Sequence, residues 1–460
     1  MIKKMLVLLS CPLLLFSYTI DFETSLSKTI DNNKGLKAKQ LEIEKSKLDL
    51  EEAKGYNYGS LVFNENISHT NNAGYVFGMK MASREAQMSD FGFTTANFAQ
   101  MQTAMGAGQE IGGTQPDALN HPDARTNYET KLTYKVPLFT GYKLQNAKKM
   151  AQLQILAKKA KYSYDEKALG LEVLKAYNGA VASKEFIKAT KKAKEATSSF
   201  VNFASELFNE GLVTSIDVKQ AKVYDMGVDA KMIEAQNRYD LALSYLKFLT
   251  SDDTITDVGN FKNINNDITS LKSLQDKAHQ FREDFRWMRY NTDTMRSKID
   301  FDSADNYPMI GVQVEYGYND DQLNNIDGNK DYYLGAIGLS YTLFDGAISS
   351  SKIQKAKIEY KKTKHYFDYM KDGIKLEIEK NLLTFQAKQK IFKQKIKAQN
   401  LSDEVLEQSQ QMYKNHLINM SNLLMQQANQ QKASAETIMA NYEKSLAAAT
   451  LQISLGEKLK

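Results

Sequence analysis

Read for its apolar positions, the chain changes period twice in the same way. Near Tyr134 and again near Ser340, hydrophobic residues fall at every second position, then give way to long polar stretches with helical spacing. Both changes pass through Leu-Phe-x-Gly, in "VPLFTG" at 136–141 and "YTLFDG" at 341–346. Phe139 and Phe344 lie 205 residues apart, as do Gly141 and Gly346. The strand predicted at about 127–137 puts Leu132, Tyr134 and Val136 on one side and Lys131, Thr133 and Lys135 on the other. Pro137 ends it, where a missing N–H is tolerated. A candidate strand at 60–69 sets Leu61, Phe63 and Ile67 against Asn64, Asn66 and Ser68, with Glu65 interrupting the apolar side. In the second half, strands at about 309–318 and 331–343 carry Ile310, Val312, Val314, Tyr316 and Tyr318, then Tyr333, Ile337, Leu339, Tyr341 and Leu343, on their apolar sides.

The polar stretches predict helices. From Tyr142 to Asn209 there is no proline, and such a run forms a helix roughly 100 Å long. "NEGLVTSID" breaks it: Gly211 suits a left-handed turn, and Thr214 or Ser215 suits the cap of a returning helix at 212–249. The second half repeats this with helices at 347–415 and 418–456, broken near His416 and Leu417. A helix from Asp21 to Lys54 precedes the first strand pair, and one from 265 toward Ala304 precedes the second. The order of helix, hairpin, long helix, turn and return helix therefore occurs twice, as an internal duplication. The expected division is a first repeat at 18–250, a linker at 251–264 and a second repeat at 265–460. Residues 70–126, rich in glycine, methionine and aromatics, read as a partly ordered loop.

The composition narrows the function. A net charge of +5 is spread along helices that alternate lysine with acid, which argues against nucleic-acid binding. Lys3 and Lys4 precede a short apolar run, so residues 1–17 read as a secretory signal; "LLSC" around Cys11 also resembles a lipoprotein box. Beyond it no apolar run is long enough for a helical membrane span. The histidines at 69, 121, 279, 365 and 416 share no metal-ligand spacing, no phosphate-binding loop occurs, and nothing indicates an enzyme or a cofactor. Trp287, in "FREDFRWMRY", falls on the helix leading to the second hairpin.

A sheet with one apolar, tyrosine-rich face can pack on a soluble core or face lipid. The helices are too polar to cover it, so lipid is the expected solvent, with Tyr316, Tyr318, Tyr332, Tyr333 and Tyr341 as an interfacial girdle. Lipid tolerates strands only in a closed barrel, and four are too few to close. Several copies of the chain are then required. A secretory signal and a strand-borne membrane face point to a bacterial outer membrane.

With "VPLFTG", "YTLFDG" and "LFNEGLVTSIDVKQAKVY" at 207–224, the chain resembles the outer membrane efflux proteins of the TolC type over almost its whole length. The resemblance implies a mostly α fold, a homotrimer with a twelve-stranded barrel in outer-membrane lipid, and helices that continue it as a periplasmic tunnel. It implies docking of a periplasmic adaptor (membrane fusion) protein and an inner-membrane pump at the far end, in a passive conduit for small molecules or metal ions. Type I protein secretion, and a non-conducting periplasmic coiled-coil scaffold, remain open. In the family an acidic ring from the second repeat narrows the tunnel tip. The matching position here is Asn422, with Met425 one turn later, while Asp217 is acidic in the first repeat. Asp217 then supplies the tip charge or only caps its helix; Met425 forms a constriction or only packs. Tyr413 matches a latch tyrosine whose arginine partner is replaced by Ile418.

Overall fold

The computed structural model describes residues 18–113, 115–265, 270–323 and 328–459. The segment expected to be a secretory signal, with Cys11, lies outside them. In chain order the elements are β1 (Tyr18–Ile20), α1 (Phe22–Asn32), α2 (Lys34–Gly55), β2 (Ser60–Thr70), α3 (Ala73–Ala82), α4 (Thr95–Gly106), α5 (Asp117–Asn120) and β3 (Arg125–Thr140). Then come α6 (Lys143–Asn209), α7 (Ser215–Thr250), β4 (Ile255–Val258), α8 (Leu271–Phe281), α9 (Glu283–Ser303), β5 (Met309–Asp320), β6 (Asp331–Ser340), α10 (Ile348–Lys414) and α11 (Met420–Ser454). The chain divides into two compact units, one of residues up to 45, 155–292 and from 362 onward, the other of 46–154 and 293–361.

The first unit is helical. Much of the buried side of α6 is alanine, at 157, 160, 176, 180, 193 and 204, which lets neighbouring helices approach closely. Around its middle, Phe22, Leu174, Tyr177, Leu246 and Ile255 close a core over a short parallel pair, β1 with β4. That pair lies partly in the segment expected to be a linker. The Asn178 amide pins the linker: its Oδ1 accepts from the Lys262 N–H at 2.9 Å, and its Nδ2 donates to the Lys262 carbonyl and to Ser445 Oγ. A second core gathers Leu274, Ile374, Ile378 and Leu451. A third, at the helix turns, gathers Phe200, Leu207, Tyr413, Met420 and Leu423.

The second unit holds an antiparallel sheet in the order β2-β3-β5-β6. Its edges are β2 and β6, and neither has a further partner among the described residues. β3 carries a bulge between Pro137 and Phe139, so the proline's missing donor falls where the ladder is already interrupted. Gly141 (φ 61°) and Tyr142 (φ 67°) then turn the chain through two left-handed residues into α6. Gly346 (φ 65°) and Ala347 (φ 68°) do the same into α10. A Cβ at Gly141 would lie 2.5 Å from the Ala304 carbonyl oxygen, so both conformation and space require glycine there.

Several expectations need correction. The strand expected at 331–343 ends at Ser340; Tyr341, Leu343 and the exposed Phe344 lie beyond it, and Asp345 accepts from the Ser349 N–H at 2.8 Å to start α10. The return helices begin at Ser215 and Met420, because the preceding residues form the turn and cap. The helix expected at 21–54 breaks at Asn33, and the one expected from 265 breaks at Arg282. Among the described residues, the expected loop at 70–126 contains three α-helices and two short 3-10 turns. Tyr332 belongs to the opposite face from Tyr333, as strand alternation requires.

Candidate functional site

The helix turns of the first unit repeat one construction. At the end of α6, Gly211 (φ 77°) is left-handed, and Leu212 N–H returns to the Leu207 carbonyl at 2.9 Å. At the end of α10, His416 (φ 60°) takes that conformation, and Leu417 N–H returns to the Met412 carbonyl at 2.8 Å. Both are Schellman ends, 205 residues apart. The caps that follow differ. The Asp217 carboxylate accepts from the Thr214 N–H at 3.0 Å and hydroxyl at 2.7 Å, and so closes a capping box for α7. In α11, Asn419 caps by accepting from the Asn422 N–H at 2.9 Å, and the Asn422 side chain is left exposed. Met425 is 53% exposed.

Tyr413 is buried under the turn with its ring 5.8 Å from Phe203, and its hydroxyl has no hydrogen-bond partner among the described residues. Burial, then the nearby Asp217 charge, raise its pKa. Ile418 packs against the same cluster, so an apolar contact stands where a latch would need a cation. Sequence reasoning missed the polar layer behind the turn. Lys194 donates to Asp225 at 2.8 Å and to Asp229 at 2.5 Å, and Thr197 donates to Asp225 at 2.6 Å. Tyr224 donates to Gln431 Oε1 at 3.3 Å and ties α7 to α11.

The sheet of the second unit has two unlike faces. One carries Leu61, Phe63, Ile67, Leu132, Tyr134, Val314, Tyr316, Tyr333, Ile337 and Leu339, all exposed, with Tyr333 at 86%. Glu65 interrupts this face and accepts from Thr130 Oγ1 at 2.5 Å. The other face is a polar lattice. Glu129 accepts from Asn66 at 2.8 Å and Lys131 at 2.9 Å, while Glu315 accepts from Thr133 at 3.2 Å and Tyr332 at 3.0 Å. The Tyr332 ring lies over Gly317, where a Cβ would meet it. Sequence alternation gave the two faces; the individual partners depend on a cross-strand register that alternation alone does not set.

Glu85, Asp320 and Asp321 bring carboxylate oxygens within 4.8 Å of one another. Lys330 and Arg125 both donate to Glu85, and Lys330 reaches Asp320 at 3.0 Å, so the cluster already has cationic partners. No histidine belongs to it.

The sequence pattern of the outer membrane efflux protein family matches residues 95–251 and 274–457. No curated protein matches the full sequence closely enough to add to that. Among solved structures, CusC is similar at a TM-score of 0.78 and 12% identity, over 96% of this chain and 94% of that one. The outer membrane protein VceC from Vibrio cholerae is similar at 0.75 and 13%, over 95% and 97%. The Campylobacter jejuni CmeC outer membrane channel is similar at 0.75 and 12%, over 95% and 85%.

Proposed function

The chain belongs to the outer membrane efflux protein family and is an outer-membrane efflux channel with a periplasmic tunnel; we propose that it works as a homotrimer in a tripartite export system. One observation carries the assembly. A four-stranded sheet with an exposed apolar face ends in two strands, β2 and β6, that have no outer partners among the described residues. In lipid each unpaired backbone group costs several kcal/mol, so the edges must pair with other copies. Three copies give twelve strands, with the apolar face toward lipid and the lattice of Glu129, Lys131, Glu315 and Tyr332 lining an aqueous lumen.

The turns are the proposed far end of the tunnel. Leu212, Ile216 and Leu417 are exposed there, and they form the surface on which a periplasmic adaptor and an inner-membrane pump would dock. Asp217 supplies negative charge at the entrance, and Met425 is the candidate constriction, since Asn422 contributes no charge. Transport through such a pore is passive. The family and fold are those of channels, and no residue is assigned a catalytic role.

The test is single-channel conductance of protein purified from outer membranes. A water-filled pore with long-lived open levels supports the reading; a protein that stays soluble without detergent and conducts nothing refutes it. Asp217→Asn should lower cation selectivity, more so at low salt, where screening is weak. Met425→Ala should raise closed-state conductance with little change in selectivity.

A further inference from the structure

We propose that the segment between β2 and β3, residues 71–124, is an apolar cap that meets its own copies over the barrel mouth. This rests on the trimeric reading above. α3 starts three residues after the edge strand β2 ends, so the segment leaves the sheet at the seam between copies. It then crosses toward the opposite edge. Arg84 Nη1 donates to the Asn329 carbonyl at 3.1 Å and lies 3.8 Å from Asp331, the first residue of β6. Glu85 accepts from Arg125, from Lys330 and, at 2.9 Å, from Ser83. Phe77 against Phe91, at 5.2 Å, and Lys80 with Asp90, at 2.6 Å, hold the segment together. The span is a built structure anchored at both edges of the sheet.

The face it covers decides its role. α3 packs on β5. At that end the polar-face residues Asn127 and Asn319 are buried and bonded to each other at 3.1 Å. Arg125, the anchor of Glu85, has the same strand parity as Asn127 and Glu129. The apolar face at the same end stays open, with Ile67 63% exposed. The segment therefore lies on the lumen side.

Geometry then supplies the partner. Twelve strands about 4.8 Å apart and tilted about 40° close at a backbone radius of about 12 Å. One helix with its side chains is about 10 Å wide. Three segments of 54 residues, each entering from the lumen side, cannot share that mouth without touching. Among the side chains each presents is a set of large apolar ones: Tyr75, Met81, Met88, Phe93, Phe98 and Met105 are all exposed. Unlike a lipid-facing girdle, this surface is rich in methionine, a flexible side chain that can repack when the cap opens.

The test uses the full chain in detergent, with native mass spectrometry as the control for trimers. Met88→Cys and Met105→Cys are introduced singly, and the unsubstituted chain controls for Cys11, its single cysteine. Oxidation is expected to give covalent dimers through the segment and to reduce single-channel conductance, both reversed by a thiol reductant. Replacing 73–122 by a short Gly-Ser turn is expected to leave trimers and to raise conductance at least severalfold. Trimers whose segments never cross-link, or whose conductance ignores the deletion, overturn the cap. Quenching of a label at Met88 or Met105 by lipid-phase probes also overturns it, since the surface then faces lipid. Failure to form trimers at all overturns the assembly instead.

Discussion

The two helix turns differ at one backbone position, and that difference can be weighed. Gly211 and His416 occupy the same left-handed position of two equivalent Schellman ends. A left-handed residue with a Cβ costs roughly 1–2 kcal/mol, which His416 bears and Gly211 does not. His416→Gly removes that strain, but glycine gains unfolded-state freedom that offsets about 0.4–1 kcal/mol of it. The net expectation is about 0.5–1 kcal/mol of local stabilisation, a factor of about 2–5 in the opening equilibrium. The converse change is equally clean. A Cβ at Gly211 would meet nothing within 4 Å, so Gly211→Ala is destabilising through backbone conformation alone, by about 1 kcal/mol. Amide hydrogen exchange by mass spectrometry reads this directly, because the Leu417 and Leu212 N–H groups close the two turns. Slower exchange at Leu417 in the histidine variant and faster exchange at Leu212 in the glycine variant are expected. Faster exchange at Leu417 in His416→Gly would show that the imidazole holds the turn and would refute the backbone argument.

Other expectations follow from individual contacts. Asp217→Ala should cost about 1 kcal/mol at the start of α7, read as faster exchange of its first amides, whereas Asn422→Ala should change little because Asn419 does the capping there. Arg282 is buried and bonded to Asp284 at 2.6 and 3.0 Å, to Glu377 at 2.7 Å and to the Ser454 carbonyl at 3.2 Å. Arg282→Met should lower the thermal midpoint through a loss of about 3 kcal/mol, because it leaves the half-buried Asp284 without its cation. Burial would raise the Asp252 pKa, but hydrogen bonds from Lys28, from Thr254 and from Tyr18 at 2.8 Å hold it well below the ordinary carboxylate value. Such a group stabilises the fold above the unfolded pKa near 4 and loses that contribution as pH falls toward the depressed value. Asp252→Asn should therefore melt lower than the unsubstituted chain at pH 7, and the difference should shrink as pH drops below about 4. Gly59→Ala should block assembly, since φ is 72° and the new Cβ would fall on the Lys135 carbonyl, breaking the start of the β2–β3 pairing; loss of trimer in native mass measurement checks it.

What the sequence revealed tracks the length of the signal. The runs without proline and the alternation in β3 and β5 extend over many residues, so the long helices and the two sheet faces were legible. The paired strand-to-helix junctions were legible too, because Gly141 and Gly346 mark them, whereas the left-handed backbone of Tyr142 and Ala347 carries no sequence signal. Short elements were not. β1 and β4 have three and four residues, and each exists only because the other lies beside it in the core. The helices at 71–124 were hidden by glycines that suggest loops, although Asn72 and Thr94, each capping a helix, were available as start signals. Tyr332 was misplaced by composition, which counts tyrosines without asking which way the strand turns them. At the helix turns, Asp217 is located by the sequence, but its hydrogen bonds from Thr214 depend on how the turn folds, and its role in the pore needs conductance.

The claim on which the account depends most is that an open four-stranded sheet closes by pairing β2 of one copy with β6 of the next. Native mass spectrometry of the detergent-extracted outer-membrane protein counts the chains that this closure requires. One dominant species of three chains is expected, with no stable species of one or two. A monomer that remains folded and membrane-inserted, with β2 and β6 left unpaired or paired within one chain, would contradict it.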